Sequence, residues 1–196
     1  MHGDSQFEVR RVRATPTGIA ASLAEGIIKS TNILRTRLEE QGFPSSDPKR
    51  FASEACILEC VLFEWFLHEL VISAEFGRHS SAIRKALGGR LLMDLERSGL
   101  SPTCLIHFHR LHLRRFAEYL QAFEATSSLQ SLGAFAWLRI VGDQEPSDRM
   151  TMLLALRATA KLRALQGLAR RYAVIGPFVA RLRPPLENED RAQSDE

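Results

Sequence analysis

Glu64 and His68 stand four residues apart, and His109 and His112 stand three apart. Residues at these separations share a face of a helix. Two imidazoles on one helix, opposite a carboxylate and an imidazole on another, are a donor set suited to a divalent transition metal inside a helical bundle. Such an ion would serve as Lewis acid or redox centre, with Glu59 as a neighbouring proton-handling group. The pattern departs from a di-iron bundle, which needs Glu-x-x-His on each of two helices; the chain contains no Glu-x-x-His. A buried polar network would use the same four residues without any metal, because buried imidazoles and carboxylates need hydrogen-bonded company. That plainer explanation outweighs ligation.

Thiols offer a second chemistry. Cys56-x3-Cys60 and Cys104-x2-His107 have spacings that zinc sites use. The first pair sits among large apolar residues, however, and suits small buried hydrophobes. His109 and His112 share the apolar face of their helix with Leu105, Phe108, Leu113, Phe116 and Leu120, whereas His107 falls on the polar side with Arg110, Arg114 and Glu118. No Gly-x-Ser-x-Gly elbow, Gly-x4-Gly-Lys-Ser/Thr loop or strand-borne Gly-x-Gly-x-x-Gly occurs. No catalytic residue is assigned.

Charge offers a third. From Arg97 to Arg183 there are thirteen Arg and Lys against five Asp and Glu. Arg157, Lys161, Arg163, Arg170 and Arg171 could touch the phosphates of a nucleic acid, giving salt-dependent, sequence-blind affinity. They spread over about half of the helical wheel, and a solvated basic face is the commoner origin of such a pattern. The last ten residues carry five acids and one base. A basic body with an acidic end suits an interaction surface and a self-shielding arm, or simply a solvated surface and tail.

The element that must position these groups is the stretch from Phe51 to Phe76. Eighteen of its 26 residues are apolar, and they fall all round the helical wheel. A helix apolar on every side is buried on every side. The sequence therefore predicts an all-α, single-domain bundle of about six helices around a central, largely buried helix at 48–76. An N-terminal arm is expected over 1–15, the bundle over 16–182 and a disordered acidic tail over 183–196.

Within the bundle, Pro16 opens a first helix that runs to about Gln41, and Asp47-Pro48 opens the central one. Gly77, Gly99 and Gly142 are stop signals. Ser80 or Ser81 would cap the third helix, which Gly88-Gly89 interrupts, allowing a kink or a close helix approach. Ser101-Pro102 starts the fourth. A short fifth fills 129–141, and the sixth extends to about Ile175. Residues 178–182 dock as one more turn. No strand is expected.

With 196 residues, 45% apolar and 25% charged, and a net charge of +3, the composition is that of an ordinary globular chain. No uncharged apolar run is long enough for a membrane span. Three sparse cysteines fit a reducing cytoplasm. The sixth helix carries more apolar residues than one stripe needs, among them Met150, Met152, Leu153, Leu156 and Leu168, and Phe135, Trp137 and Leu138 add to them. They mark a thick core or a subunit interface. The favoured reading is a non-catalytic, self-associating interaction or assembly protein, its basic half steering an acidic partner. A metal-binding bundle and a nucleic-acid accessory protein are the alternatives.

Overall fold

The structure, a computed structural model, describes residues 12–40, 53–126, 128–142 and 148–175. It is an all-α helical bundle. Strand β1 (Val12–Ala14) leads into α1 (Pro16–Glu40), α2 (Glu54–Glu75), a single 3-10 turn (Gly77–His79), α3 (Ser80–Arg97), α4 (Pro102–Thr126), α5 (Leu129–Val141), α6 (Asp148–Ala169) and strand β2 (Tyr172–Val174). The expected start at Asp47-Pro48, the turn at 178–182 and the acidic tail lie outside the described residues.

The helices begin where side chains can satisfy the orphan amides of a first turn. Thr15 Oγ1 accepts from the Gly18 amide at 3.1 Å. Ser53 accepts from Cys56 at 3.3 Å, Ser101 from Cys104 at 3.3 Å and Ser128 from Gln130 at 3.1 Å. Ser53 has an extended backbone (φ −69°, ψ 143°), so α2 starts at Glu54 and does not run unbroken from residue 48. Ser80 does not cap α3 in this way. Its hydroxyl turns back to within 2.9 Å of Ile72 O and 2.7 Å of Gly77 O and closes the turn after α2. Gly77, Gly99 and Gly142 all have positive φ (48°, 86° and 93°), the conformation that makes glycine an efficient helix stop.

The ends differ from the sequence expectation. Val12–Ala14 lies in the segment predicted as an arm, and Tyr172–Val174 in the segment predicted as helix. The two pair as parallel strands, Val12 opposite Tyr172 and Ala14 opposite Val174. Their β-branched and aromatic residues suit a pleated ribbon. The amide of Val12 donates to Arg171 O at 2.7 Å, and that of Ile175 to Ala14 O at 3.0 Å. Three residues are too few to show alternation, which is why the ladder was not legible beforehand.

Helix α2 is the axis of the fold. Fourteen of its 22 residues are buried. It divides the core into two clusters. One joins its Leu58, Leu62, Trp65 and Ile72 to α1 and α3 through Ile19, Ile27, Ile83, Leu87 and Leu91. The other joins its Phe63, Phe66 and Leu67 to Tyr119 of α4, Trp137 and Ile140 of α5, and Leu154 and Ala158 of α6. Part of the apolar surplus noted on α5 and α6 is thus core: Trp137 and Met150 are buried, and Phe135 and Leu153 are half-buried, whereas Leu138 is 40% exposed. Met152, Leu156 and Leu168 stay exposed.

Two helical glycines show opposite packing. A Cβ built on Gly133 would lie 2.7 Å from Thr151 O and 3.0 Å from Ala155 N. These are backbone atoms that cannot step aside, so Gly133 sets the close approach of α5 to α6. A Cβ on Gly89 would meet nothing within 4 Å. Gly133→Ala is therefore expected to force α5 from α6 and cost roughly 1–3 kcal/mol. Gly89→Ala should stabilise by up to about 1 kcal/mol through helix propensity. Thermal denaturation checks both; equal shifts of one sign would refute the packing difference.

Candidate functional site

Helix α2 carries carboxylates at 54, 59, 64 and 69, then at 75. Each five-residue step turns the side chain by about 140° round the axis, so successive carboxylates meet different neighbours. Glu54 lies 3.0 Å from the hydroxyl of Ser101 and 2.6 Å from the thiol of Cys104, at the start of α4. Those hydrogen bonds, from Cys104 first and then Ser101, hold its pKa below the ordinary carboxylate value. Glu59 takes two N–H groups of Arg115 on α4, at 2.8 and 2.6 Å. Arg115 also reaches Glu118 at 2.6 Å, and Glu118 meets Arg139 of α5 at 3.2 Å. Glu69 is bonded by Arg84 of α3 at 2.5 Å. Glu75 is 3.3 Å from Arg170 at the end of α6.

Glu64 is the most deeply placed, with no exposed surface. Arg157 of α6 donates to its Oε1 through Nε at 2.8 Å and approaches the same oxygen through Nη2 at 2.7 Å. Lys161 Nζ stands 3.7 Å from Oε2. Both cations also bond Ser30 of α1. Arg157 reaches Ser30 O at 2.6 Å, and Lys161 reaches Ser30 Oγ at 3.0 Å. One turn on, His68 donates from Nδ1 to the carbonyl of Glu64 at 2.7 Å, while its Nε2 is buried without a hydrogen-bond partner among the described residues. Burial, and then the charge of Lys161, push the His68 pKa down to about 3. The imidazole is neutral at pH 7. One carboxylate thus faces two cations, and burial lowers the pKa of Lys161 against the pull of Glu64.

Ser30, Arg157 and Lys161 of this cluster line a groove between α1 and α6 of about 590 Å³. Arg37 and Arg149 also line it, and Leu34, Met152, Leu153 and Leu156 give it an apolar wall. No acidic residue is among its lining residues. Leu156 is 62% exposed, so the wall faces outward.

His109 and His112 lie elsewhere. His112 stacks on Trp65 of α2 at 4.2 Å between centroids with 11° between planes, and meets Phe116 edge-on at 4.5 Å. His109 is exposed beside it, 6.2 Å away. Glu64 and His68 face α1 and α6, whereas the α4 histidines flank a cavity against α3. The sequence placed Leu113 and Leu120 on the buried side of α4, but they are 65% and 40% exposed. Phe108, expected on the same face, is buried, and so is Tyr119. Among the described residues, no three His, Cys, Asp or Glu side chains are grouped to hold a metal ion. Cys56 and Cys60 are buried and form no disulfide.

The five basic residues divide in the same way. Arg157 and Lys161 turn inward to Glu64, whereas Arg163, Arg170 and Arg171 are exposed, Arg170 pairing with Glu75 at the surface. At 100° per residue, Arg163 and Arg170 lie on roughly the opposite side of α6 from Arg157 and Lys161. The groove itself was not found from sequence. Its only signal was the coincidence on α6 of inward cations with outward Met152 and Leu156.

No protein-family model matches the chain, and no curated protein or solved structure was found similar to it.

Two outcomes follow from the buried cluster. Glu64→Gln leaves Arg157 and Lys161 confronting each other without their anion and should cost about 3–5 kcal/mol in urea denaturation. Adding Arg157→Met should recover part of that loss; no recovery would count against the pair as the origin. His68 takes up a proton on unfolding at pH values between about 3, its folded pKa, and 6.5, its ordinary value. Its folded pKa is depressed, so its contribution is lost as pH falls through this window, at about 1.4 kcal/mol per pH unit. His68→Gln should flatten stability against pH by about one proton relative to the parent; superimposable slopes would refute a neutral buried imidazole.

Proposed function

We propose that the protein is a non-catalytic interaction module that captures an acidic, partly apolar segment of a protein partner in the groove between α1 and α6. One observation carries this reading: a buried cluster with more cations than anions opens onto a groove that has an apolar wall and a further arginine at its rim. Glu64 balances only one of Arg157 and Lys161, and His68 is neutral. Arg37 adds to the same sign. An acidic chain supplies the missing charge, and its apolar side chains cover Met152 and Leu156. A desolvated cation gains most from a new carboxylate, because burial weakens screening by solvent.

Charge also favours such a partner over a second copy as the occupant of this face. Two copies would set one cationic groove against another, and like charges across an interface suppress pairing. Nucleic acid matches the charge but not the wall, since an exposed leucine and methionine give nothing to a phosphate backbone. A reducing cytoplasm suits the chain: its three cysteines form no disulfide, and no helix among the described residues is long and apolar enough to cross a membrane.

The test is fluorescence anisotropy with a short labelled peptide of glutamate and leucine. The peptide should bind, more weakly as salt rises. Arg37→Glu, on the rim and outside the buried cluster, should weaken binding by roughly tenfold, or about 1.4 kcal/mol. Leu156→Asp should do the same. Tighter binding of labelled single-stranded DNA than of the peptide, or an unchanged affinity in Arg37→Glu, would overturn the assignment. Sedimentation of the unliganded protein separates self-association from it: a dimer lost on Leu156→Asp would make a second copy the occupant.

A further inference from the structure

On the other side of α2, α3 and α4 do not close against each other. Between them lies a cavity of about 520 Å³, within the range of roughly 300–1,000 Å³ typical of small-molecule sites. Trp65 forms its floor, and Phe108, Phe116, Leu92 and Leu113 its walls. Leu113 is 65% exposed at the mouth, so a large apolar side chain stands uncovered where an occupant would enter.

The α3 wall is recessed between Lys85 and Leu92 because it carries Gly88 and Gly89 there. Glycine is a poor residue for a helix interior, and a protein keeps it there for a close approach or for space. Gly88 borders the Trp65 ring, which a Cβ would reach at 3.6 Å. Gly89 borders nothing within 4 Å. No packing contact calls for it; what its missing side chain supplies is room in the cavity.

The polar groups are few and placed about the apolar walls. Glu69 and Arg84 are paired with each other at one end and leave no net charge. His109 and His112 stand on the α4 side. Burial, and then neighbouring His109, push the His112 pKa down to about 4. It is therefore neutral at pH 7, with Nδ1 buried and without a hydrogen-bond partner among the described residues. Lys85 lines the cavity with no ion-pair partner among the described residues. The lining therefore has one positive charge in excess and an aromatic floor.

We propose that the cavity between α2, α3 and α4 is a binding site for a small aromatic or aliphatic carboxylate, its apolar body lying on Trp65, Phe108 and Phe116 and its anionic end at Lys85. The site is separate from the groove between α1 and α6 and shares no lining residue with it. Trp65 reports occupancy directly. The other tryptophan, Trp137, is buried in the opposite core cluster.

The experiment titrates the full chain with 2-naphthoate and with 2-naphthylmethanol, its uncharged counterpart, and follows tryptophan emission. The acid should quench saturably and bind about tenfold more tightly than the alcohol, the change expected for one charge-assisted contact. Gly89→Leu, which projects into the open cavity, should weaken both ligands by at least about tenfold without lowering the melting temperature. Lys85→Gln should bring the acid down to the alcohol and leave the alcohol unchanged. Arg37→Glu should affect neither. Absence of saturable quenching, or quenching untouched by Gly89→Leu, would overturn the site. Equal affinity for acid and alcohol in the parent protein would overturn the carboxylate assignment.

Discussion

A carboxylate drawn into an apolar interior must be accompanied by a cation or by hydrogen-bond donors, because water no longer pays for its charge. Helix α2 makes this demand repeatedly along its length, and the arrangement of the bundle is the answer. Glu59 is met by Arg115 from α4, Glu64 by Arg157 and Lys161 from α6, and Glu69 by Arg84 from α3. Ser30 brings α1 into the Glu64 cluster through its carbonyl and hydroxyl. Apolar contacts supply most of the driving force for such a core, but they are non-directional. The ion pairs are directional. A rotation of α2 by one residue, about 100°, would leave Leu neighbours in place of some Leu neighbours and take every carboxylate away from its cation. The register of the axis helix is therefore set by its charges more than by its oil.

The same demand explains why the groove between α1 and α6 is chemically unlike the rest of the surface. Satisfying Glu64 takes one cation, yet α6 presents two, one turn apart on one face. Lys161 lies far enough from the carboxylate, at 3.7 Å, that Ser30 supplies its close contact. A surface arginine surrounded by water has no such need, because solvent screens it. A half-buried lysine beside an arginine keeps an appetite for an anion, and the groove is where an anion can reach it.

The fold was legible because its signals were long and redundant. The all-round apolar character of 54–75, the Ser101 cap ahead of Pro102, and the positive-φ glycines at 77, 99 and 142 each act within one element. They need no knowledge of neighbours. The site was only half legible. That Glu64 and His68 are buried together follows from their helix, and the structure shows them with 0% and 1% exposure. That they face α1 and α6, and not the histidines of α4, depends on which side of α2 each neighbour takes. Sequence spacing fixes a face but not its partner. The apolar arc of α4 is wider than its core contact, so Leu113 and Leu120 looked internal although only part of the arc, around Phe108 and Tyr119, meets the bundle. The three-residue strands escaped because pairing between residue 12 and residue 172 leaves no local pattern.

Glycine placement connects the two surfaces to the stability of the whole. At Gly133 the missing side chain is filled by the backbone of the next helix, 2.7 Å from where a Cβ would be, and α5 and α6 become one close-packed unit. At Gly89 the same omission is filled by nothing. A helix that gives up conformational restraint for contact recovers the loss in packing. One that gives it up for empty space does not, and the space is then lined by the aromatic rings of Trp65, Phe108 and Phe116. The bundle is thus tight where α5 packs on α6, and open between α3 and α4, where the buried Trp65 lines a cavity. That asymmetry follows from two residues without side chains set against different neighbours.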